Sequence, residues 1–444
     1  MLLRFSVSNW MSFRDEAILD MTATREKQHS EHLAALPKHE VRVLPVAAIY
    51  GGNASGKSNL VKALQFAKTF VVSPPKPGAP IGAKPFLLNE VSKNRYTRFR
   101  FEIMIAGSVF EYSFSIDAKA VTAEELVRVT PGSEERLFRR SSDPPEFTLY
   151  DKAKDKEALE FAFRGTQENQ LFLTNSVSQK LAEFRPILSW FRDDLTVIDP
   201  STYFAGLLDY TREKHPRFLQ MSQKLHELDC GIEFLKETEV LPTSVLPKEL
   251  VDSLSADLTE HESLPLASIG GEEGVFLELR DGKPVAQRLI PFHRDEGGRM
   301  VAFQYLDESD GTRRLLDVLP AFLMLGDEKY STTFVIDELD RSLHPNLTRN
   351  LVEMFLACRQ ESSRTQLVFT THDAQLMTQE IFRRDELWAA ERDPSGASRL
   401  IAFSEFKDVR KDRDIRKSYL QGRMGGVPHI RGANSPCAEE VEPR

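Results

Sequence analysis

A glycine-rich turn between an apolar strand and a helix constrains this chain of 444 residues more than any other feature. The run VLPVAAIY, which ends at Tyr50, is continuous and β-favouring, as is typical of a strand buried on both faces of a sheet. It leads into GGNASGKS at residues 51–58, and SNLVKALQFAKTFV then shows helical spacing of apolar residues. This segment satisfies G-x-x-x-x-G-K-[ST] in the required context, so it predicts a phosphate-binding loop.

Each fixed position of this loop has a physical task. Gly51 and Gly56 permit backbone geometry closed to other residues, so successive N–H groups can converge on a phosphate at the start of the helix. Lys57 adds positive charge across the β- and γ-phosphates, and the hydroxyl of Ser58 is a ligand for Mg²⁺. The predicted nucleotide-binding residues are Gly51, Gly52, Asn53, Ala54, Ser55, Gly56, Lys57, Ser58 and Asn59.

A second apolar strand, far downstream, ends in two carboxylates. The segment TFVI at residues 333–336 leads into Asp337 and Glu338, which is the pattern of a Walker B strand. Asp337 is predicted to hold Mg²⁺ together with Ser58, and Glu338 is predicted to orient or deprotonate the attacking water. Taken alone, the segment also fits a strand that runs into an acidic turn.

Between these two motifs, ESDGT at residues 308–312 precedes the helical segment RRLLDVLPAFLML. Ser309 suits the N-cap of that helix. A helix start made of serine and glycine is also an anion site, which makes Ser309 and Gly311 candidate nucleotide contacts. The two interpretations are compatible.

The remaining pattern predicts an α/β fold with a largely parallel, covered sheet. RYTRFRFEIMI and SVFEYSFSID predict a hairpin that continues as an antiparallel β-meander. QKLAEFRPILSWFRDDL and PRFLQMSQKLHELDCGIEFLKE show helical spacing and predict a helical insertion. We therefore expect an N-terminal ATPase lobe at 1–174, the insertion at 175–270, a C-terminal lobe at 271–406 and a basic segment with a tail at 407–444.

Composition restricts the classes of function. With 67 acidic and 58 basic residues the net charge is −9, so any contact with nucleic acid must be local. Residues 407–431 carry eight Lys or Arg against three Asp, which fits either a solvated face or a surface for DNA, RNA or an acidic partner. Cys230, Cys358 and Cys437 form no disulfide or zinc pattern. Without a signal sequence or a run of about 18 apolar residues, we predict a cytoplasmic protein with no membrane contact.

In their order along the chain, the phosphate loop, the Ser-x-Gly helix start, VIDELDRSLHP and FTTHD resemble ABC-type ATPases. The likeness is to SMC and recombinational-repair heads, since ESDGT differs from the transporter signature LSGGQ. It implies two heads that sandwich two ATP molecules, with Ser309 and Gly311 of one head contacting the γ-phosphate bound by the other. It also implies a D-loop at Asp340 and residues 342–345.

The same resemblance suggests two further site residues. His372, after the strand QLVFTT, resembles the switch histidine that contacts the γ-phosphate. A lone histidine after a strand is more often an ordinary loop residue, but here the neighbouring strand would deliver it to the phosphate. Asn175 follows LFLT, interpreted as an apolar strand, and occupies the place of the glutamine loop; a simple helix cap is the alternative.

A narrower resemblance covers nearly the whole chain. FSVSNWMSFRDEA, YGGNASGKSNL, ESDGTRRLL, RRDELWAAERD and RKDRDIRKSYLQGRMGGVP look like the bacterial AAA-type ATP/GTPase family of abortive-infection operons. That resemblance implies a P-loop NTPase with an ABC/SMC-like head, and a small nuclease-like or toxin-like partner encoded nearby.

These expectations combine into one leading hypothesis. The chain is expected to be a Mg²⁺-dependent ATPase with Lys57, Glu338 and His372 as catalytic residues. ATP would drive assembly of a homodimer or higher oligomer that switches a partner in anti-phage defence. The alternative is a DNA-repair or chromosome-maintenance clamp that binds DNA. A nuclease and a transporter subunit fit less well.

Overall fold

The computed structural model describes residues 1–200, 216–258, 263–266, 274–406, 415–421 and 426. Its strands are β1 (Leu2–Ser8), β2 (Ala17–Asp20), β3 (Ala34–Leu36), β4 (Val41–Val43), β5 (Val46–Tyr50), β6 (Thr97–Ile105), β7 (Ser108–Ile116), β8 (Val121–Thr130), β9 (Ser133–Ser142), β10 (Pro145–Leu149), β11 (Leu195–Ile198), β12 (Ile232–Val240), β13 (Ser263–Pro265), β14 (Val275–Arg280), β15 (Lys283–Arg294), β16 (Met300–Ala302), β17 (Thr333–Ile336), β18 (Gln366–Thr370), β19 (Leu387–Arg392) and β20 (Ser398–Ala402). Its helices are α1 (Lys57–Val72), α2 (Glu90–Lys93), α3 (Lys156–Arg164), α4 (Phe172–Ser178), α5 (Arg185–Ser189), α6 (Pro216–Glu227), α7 (Pro242–Val245), α8 (Lys248–Asp257), α9 (Asp310–Leu325), α10 (Pro345–Ala357) and α11 (Ile415–Leu420).

A mostly parallel sheet forms the centre of the fold, with the strand order β11-β17-β18-β5-β19-β20. The first five strands are parallel, and β20 pairs antiparallel with β19. β5 is buried along its whole length, as its continuous apolar sequence predicts. Because β5, β17 and β18 are parallel neighbours, the loops that follow them leave the sheet at the same edge.

An antiparallel meander forms the second layer, with the order β10-β9-β8-β7-β6-β1-β2. The predicted hairpin of β6 and β7 and the first hairpin of β1 and β2 are both present. Helix α1 lies between this sheet and the parallel sheet. Its residues Leu60, Leu64 and Phe70 share one core with Phe99 and Phe101 of the meander.

The two faces of the parallel sheet pack against different partners. Along β5, Ala47 and Ile49 belong to the core with α1, whereas Val46, Ala48 and Tyr50 belong to the core with α9 and α10. This division follows from the strand geometry, in which successive side chains point to opposite faces. The predicted fold class, a P-loop α/β core with an antiparallel β-meander, is confirmed.

The segment predicted as a helical insertion is a mixture of helices and strands. Helical spacing in PRFLQMSQKLHELDCGIEFLKE holds only to the end of α6, and Ile232 within this segment begins β12, a strand of nine residues. β12 pairs with β15 in a separate antiparallel sheet that also contains β13, β14 and β16. The alternation in its second half is typical of a strand, and pairing with β15 decides the outcome.

The parallel sheet crosses the predicted domain boundaries. It takes β5 from the first predicted domain, β11 from the insertion and β17–β20 from the third. The predicted domain boundaries therefore do not divide this sheet, and they remain predictions. Most of the predicted basic segment, including Lys407, Arg410, Lys411, Arg413, Arg423 and Arg431, lies outside the described residues. Among the described residues, no helix is long and apolar enough to cross a membrane.

Candidate nucleotide-binding site

The phosphate loop leaves the carboxyl end of β5 and passes directly into α1, with Gly56 at the helix N-cap. Both motif glycines lie where a side chain has no room. A Cβ atom on Gly51 would lie 2.5 Å from the backbone oxygen of Ala390. Gly56 has a φ of +110°, and its Cβ would lie 2.5 Å from Ser398 Oγ. The close approach of β19 and β20 therefore explains why this turn requires glycine.

The lysine of the loop is held by the loop itself. Lys57 Nζ donates hydrogen bonds to the backbone oxygens of Gly51 at 2.8 Å and Gly52 at 3.2 Å. The residue is only 5% exposed, and this burial lowers the pKa of Lys57 to about 8, against the opposing effect of Asp337 and Glu338. The ammonium therefore lies in a site that favours the arrival of negative charge.

A single threonine holds the two carboxylate residues at the end of β17. Thr370 Oγ1, at the end of the neighbouring β18, donates to Asp337 Oδ1 at 2.5 Å. The same hydroxyl accepts from the backbone N–H of Glu338 at 2.8 Å. Glu338 has a φ of +49°, a region that non-glycine residues occupy rarely and that is common at functional sites. Thr370 thus positions both residues.

The predicted catalytic residues converge on one cavity of about 400 Å³. It is lined by residues 53–59 of the loop and helix start, together with Glu338 and His372. The backbone N–H of His372 donates to the carboxylate of Asp340, 3.2 Å from Oδ2. Burial, with the nearby positive charge of Lys57, lowers the pKa of His372 and favours its neutral form.

The residues predicted to hold magnesium also share a cavity. Ser58, Asp337 and Glu338 line a second cavity, of about 630 Å³, together with Asp199. A hydroxyl and carboxylates are the hard oxygen ligands that Mg²⁺ prefers, so these residues fit the ion. Asp199 directly follows β11, and the pairing of Ile198 with Ile336 brings it level with Asp337.

The Ser-x-Gly helix start lines a different cavity from the phosphate loop. Ser309 is the N-cap of α9, and its Oγ accepts from the backbone N–H of Thr312 at 3.1 Å. A Cβ on Gly311 would lie 2.6 Å from the backbone oxygen of Ser342, within the predicted D-loop. Ser309 and Gly311 line a cavity of about 560 Å³ together with Ser342 and His344. The phosphate loop does not line this cavity.

The structure does not bring Asn175 to the nucleotide-binding cavity. LFLT forms the beginning of helix α4 rather than a strand, so the prediction of a strand was wrong. The Asn175 amide donates to the backbone oxygen of Ala162 and to Thr166 Oγ1, both at 2.9 Å. A four-residue apolar run does not distinguish a strand from a helix, and packing of α4 against α3 decides it here.

The chain returns to the phosphate loop near its C-terminus. The backbone N–H of Gly52 donates to the backbone oxygen of Gly426 at 2.7 Å, and Tyr419 Oη donates to the same oxygen at 3.2 Å. The rings of Tyr419 and Tyr50 meet edge to face with centroids 6.1 Å apart. We name this contact, made by Tyr419 and Gly426, the C-terminal clasp.

Sequence reasoning missed three contributors to the site: Thr370, Asp199 and the C-terminal clasp. Thr370 lies in FTTHD, beside the predicted His372, and its position at a strand end was the available signal. Asp199 directly follows LTVI, a short apolar run typical of a strand, and its position at the end of that run was the available signal. For Gly426, only the glycine pair in GRMGGVP hinted at an unusual backbone.

A glycine loop with its lysine, placed at the end of a central parallel strand beside a strand that ends in Asp-Glu, defines a P-loop nucleotide-binding protein. The chain belongs to the family described as "AAA domain, putative AbiEii toxin, Type IV TA system", whose family model matches residues 46–378. No curated protein matches the sequence.

Solved structures similar to this chain include two SMC heads. One is described as the SmcHead bound to the C-winged helix domain of ScpA, with 12% identity, a TM-score of 0.36, and 90% of this chain and 97% of that chain covered. The other is the SMC head domain from Thermotoga maritima, with 14% identity, a TM-score of 0.33, and 90% and 98% covered.

Proposed function

We propose that this protein binds and hydrolyses ATP with Mg²⁺, and that two copies assemble around the nucleotide. The observation that carries the proposal is the separation of two half-sites on one chain. Lys57, Glu338 and His372 face one cavity, whereas Ser309 and Gly311 face another. Family membership supports a P-loop ATPase, and the geometry supports a site completed by a second copy.

In this proposal, each residue has a defined task. The backbone N–H groups of the loop bind the β-phosphate, and Lys57 neutralises charge on the β- and γ-phosphates. Glu338 accepts a proton from the attacking water or orients it, and neutral His372 donates a hydrogen bond to the γ-phosphate. Magnesium, when bound, would supply positive charge that offsets the negative charge of the phosphates. Ser58 and Asp337 would hold it.

Single substitutions test the nucleotide site. Lys57→Ala is expected to abolish ATP binding, because no other lysine lines the cavity among the described residues. Glu338→Gln is expected to keep ATP binding and lower turnover by about 10²–10⁴-fold, the usual contribution of a general base. Lys119→Ala and Glu353→Gln, both exposed, are matched controls. Normal turnover by Glu338→Gln would remove that residue from the mechanism.

A mixing experiment tests assembly. Ser309→Asp keeps an N-cap residue but places negative charge where the γ-phosphate would lie. Lys57→Ala and Ser309→Asp should each be inactive alone. If the sites are shared between copies, a mixed dimer contains one intact site. An equal mixture should then recover about a quarter of normal activity, since random pairing puts half of the chains in mixed dimers. No recovery would show that each chain works alone.

We further propose a small toxin-like or nuclease-like partner and a role in anti-phage defence. The family description, which names a Type IV TA system, supports the existence of a partner protein. Hydrolysis would change the contact between the two proteins. Affinity purification of the Glu338→Gln variant with ATP, followed by mass spectrometry, tests this. A partner enriched with ATP and released by the active protein is the expected result. ATP-dependent, salt-sensitive binding of DNA with no protein partner would instead favour the clamp function.

A further inference from the structure

A compact group of three side chains precedes β5 and the phosphate loop, with His32 19 residues before Gly51. His29, Glu31 and His32 surround a short 3₁₀ turn, Ser30–His32, between β2 and β3. One ligand atom from each lies within 4.8 Å of the other two. His29 Nδ1 is 3.7 Å from Glu31 Oε1, and His32 Nε2 is 4.0 Å from the same oxygen. None of the three lines the nucleotide-binding cavity.

The ring of His29 is oriented as a metal-binding histidine requires. Its Nε2 lies 2.9 Å from the backbone oxygen of Gln379. A carbonyl oxygen can only accept, so Nε2 carries a hydrogen, and Nδ1, the nitrogen that faces Glu31, can coordinate a metal when the ring is neutral. Histidine ligands of metals almost always donate their other ring N–H to such a carbonyl or carboxylate. The φ of +49° at His29 turns the backbone to make this arrangement possible.

The second histidine is stacked on the first. The rings of His29 and His32 are parallel within 2°, with centroids 5.3 Å apart. The His32 side chain is 18% exposed, and its Nδ1 is buried with no hydrogen-bond partner among the described residues, so His32 lacks the supporting contact that His29 has.

We propose that His29 Nδ1, Glu31 Oε1 and His32 Nε2 bind one divalent transition-metal ion of the zinc class. Two imidazoles and one carboxylate are a common ligand set for zinc, with water completing a tetrahedron. Bonds of roughly 2.0–2.2 Å in a tetrahedron place ligand atoms about 3.3 Å apart. The two separations from Glu31 Oε1, 3.7 and 4.0 Å, would contract by less than about 1 Å, and the separation between the two histidines, within 4.8 Å, by at most about 1.5 Å. The two parallel rings would also turn so that both lone pairs point at the ion. Calcium and magnesium prefer all-oxygen sites and do not fit this set.

The position of the turn suggests what the ion does. Arg383, which is fully buried, donates to the backbone oxygens of Glu26 and Gln28 at 3.0 and 2.7 Å. With the contact from His29 to Gln379, this ties the N-terminal turn to the segment that follows the switch residue His372. Metal at the turn would strengthen that connection.

The test uses the full-length, tag-free protein after treatment with a chelator, without nucleotide. Titration calorimetry with Zn²⁺ is expected to show one site per chain. His29→Asn, His32→Asn and Glu31→Gln should each weaken binding at least about tenfold, and the double histidine variant should abolish it. His39→Asn, a half-buried histidine in a neighbouring turn, is the control and should bind as the unmodified protein does.

Two further measurements keep the proposal falsifiable if a variant folds poorly. Co²⁺ should give the visible absorption of a tetrahedral site in the unmodified protein and in His39→Asn, and not in Glu31→Gln, which keeps the shape of the turn. Zn²⁺ should raise the thermal midpoint of those same two proteins only. Absence of a stoichiometric Zn²⁺ site, or binding that persists in Glu31→Gln and His32→Asn, would overturn the proposal.

Discussion

Replacing Gly56 by alanine should damage both the stability of the fold and nucleotide binding. Two separate costs add at this position. A φ of +110° is one that residues with a Cβ rarely adopt, which costs about 1–3 kcal/mol. The new Cβ would also lie 2.5 Å from Ser398 Oγ and 2.8 Å from Ser398 Cβ. Such overpacking costs about 1–3 kcal/mol.

The clash is hard to relieve because Ser398 has little freedom to move. It is almost fully buried, and its backbone N–H donates to the backbone oxygen of Ser12 at 2.7 Å. The expected loss for Gly56→Ala is therefore about 2–6 kcal/mol in the free energy of unfolding. Gly78 provides the matched control. Its φ is +76° but its Cβ would meet nothing within 4 Å, so Gly78→Ala should cost only about 1–2 kcal/mol.

Urea unfolding of the purified variants measures these differences, and binding of a fluorescent ATP analogue reports the state of the loop. Ser398→Gly removes both clashing atoms, and the Ser398 hydroxyl has no hydrogen-bond partner to lose among the described residues. Adding it to Gly56→Ala should therefore restore at least about 1 kcal/mol as a coupling energy. Equal losses for Gly56→Ala and Gly78→Ala, or an absence of coupling, would refute the reasoning.

Three further predictions concern the same site. Because burial lowers the pKa of Lys57 to about 8 and bound phosphates would raise it, ATP binding should take up a proton just above pH 8, and affinity should fall as pH rises further. Calorimetry in buffers of different ionisation enthalpy measures that uptake, and its absence would contradict the assignment of Lys57. Thr370→Val removes the hydrogen bonds to Asp337 and Glu338, a loss of about 1–3 kcal/mol. The Mg²⁺ concentration for half-maximal ATPase activity should therefore rise by about 5- to 150-fold, and an unchanged Mg²⁺ dependence would exclude the positioning role. Tyr419→Phe removes the bond to Gly426 in the C-terminal clasp and should lower stability by about 0.5–1.5 kcal/mol in urea unfolding. Tyr96→Phe, at a largely exposed residue, should have no measurable effect, and equal effects of the two would argue against the clasp.

Several parts of the site could be predicted because they are local in sequence. The phosphate loop, its strand and its helix span residues 46–72, so the whole motif is present in one short stretch of sequence. The same holds for Asp337 and Glu338, which directly follow their strand, and for the serine N-cap of α9. Short-range periodicity and turn chemistry are sufficient for such features.

Other features escaped prediction because they depend on distant residues. Asn175 lies in a short helix whose apolar run is compatible with either secondary structure. Strand β12 exists because β15, about fifty residues later, pairs with it. Thr370 acquires its role only when β18 is placed beside β17. Each is decided by contacts that a local pattern does not contain.

The sequence by itself determined that the chain has a glycine loop for phosphate, a strand that ends in two carboxylates, and a capped helix start with serine and glycine. Only the tertiary structure decided that the glycine loop and the two-carboxylate strand end share a cavity, while the serine-glycine helix start lines a different one. It also decided that Gly426 contacts the loop and that Glu31 lies close to two histidines. The physical reason is that backbone geometry is specified by a few neighbouring residues, whereas the meeting of side chains depends on sheet order and burial across the whole chain.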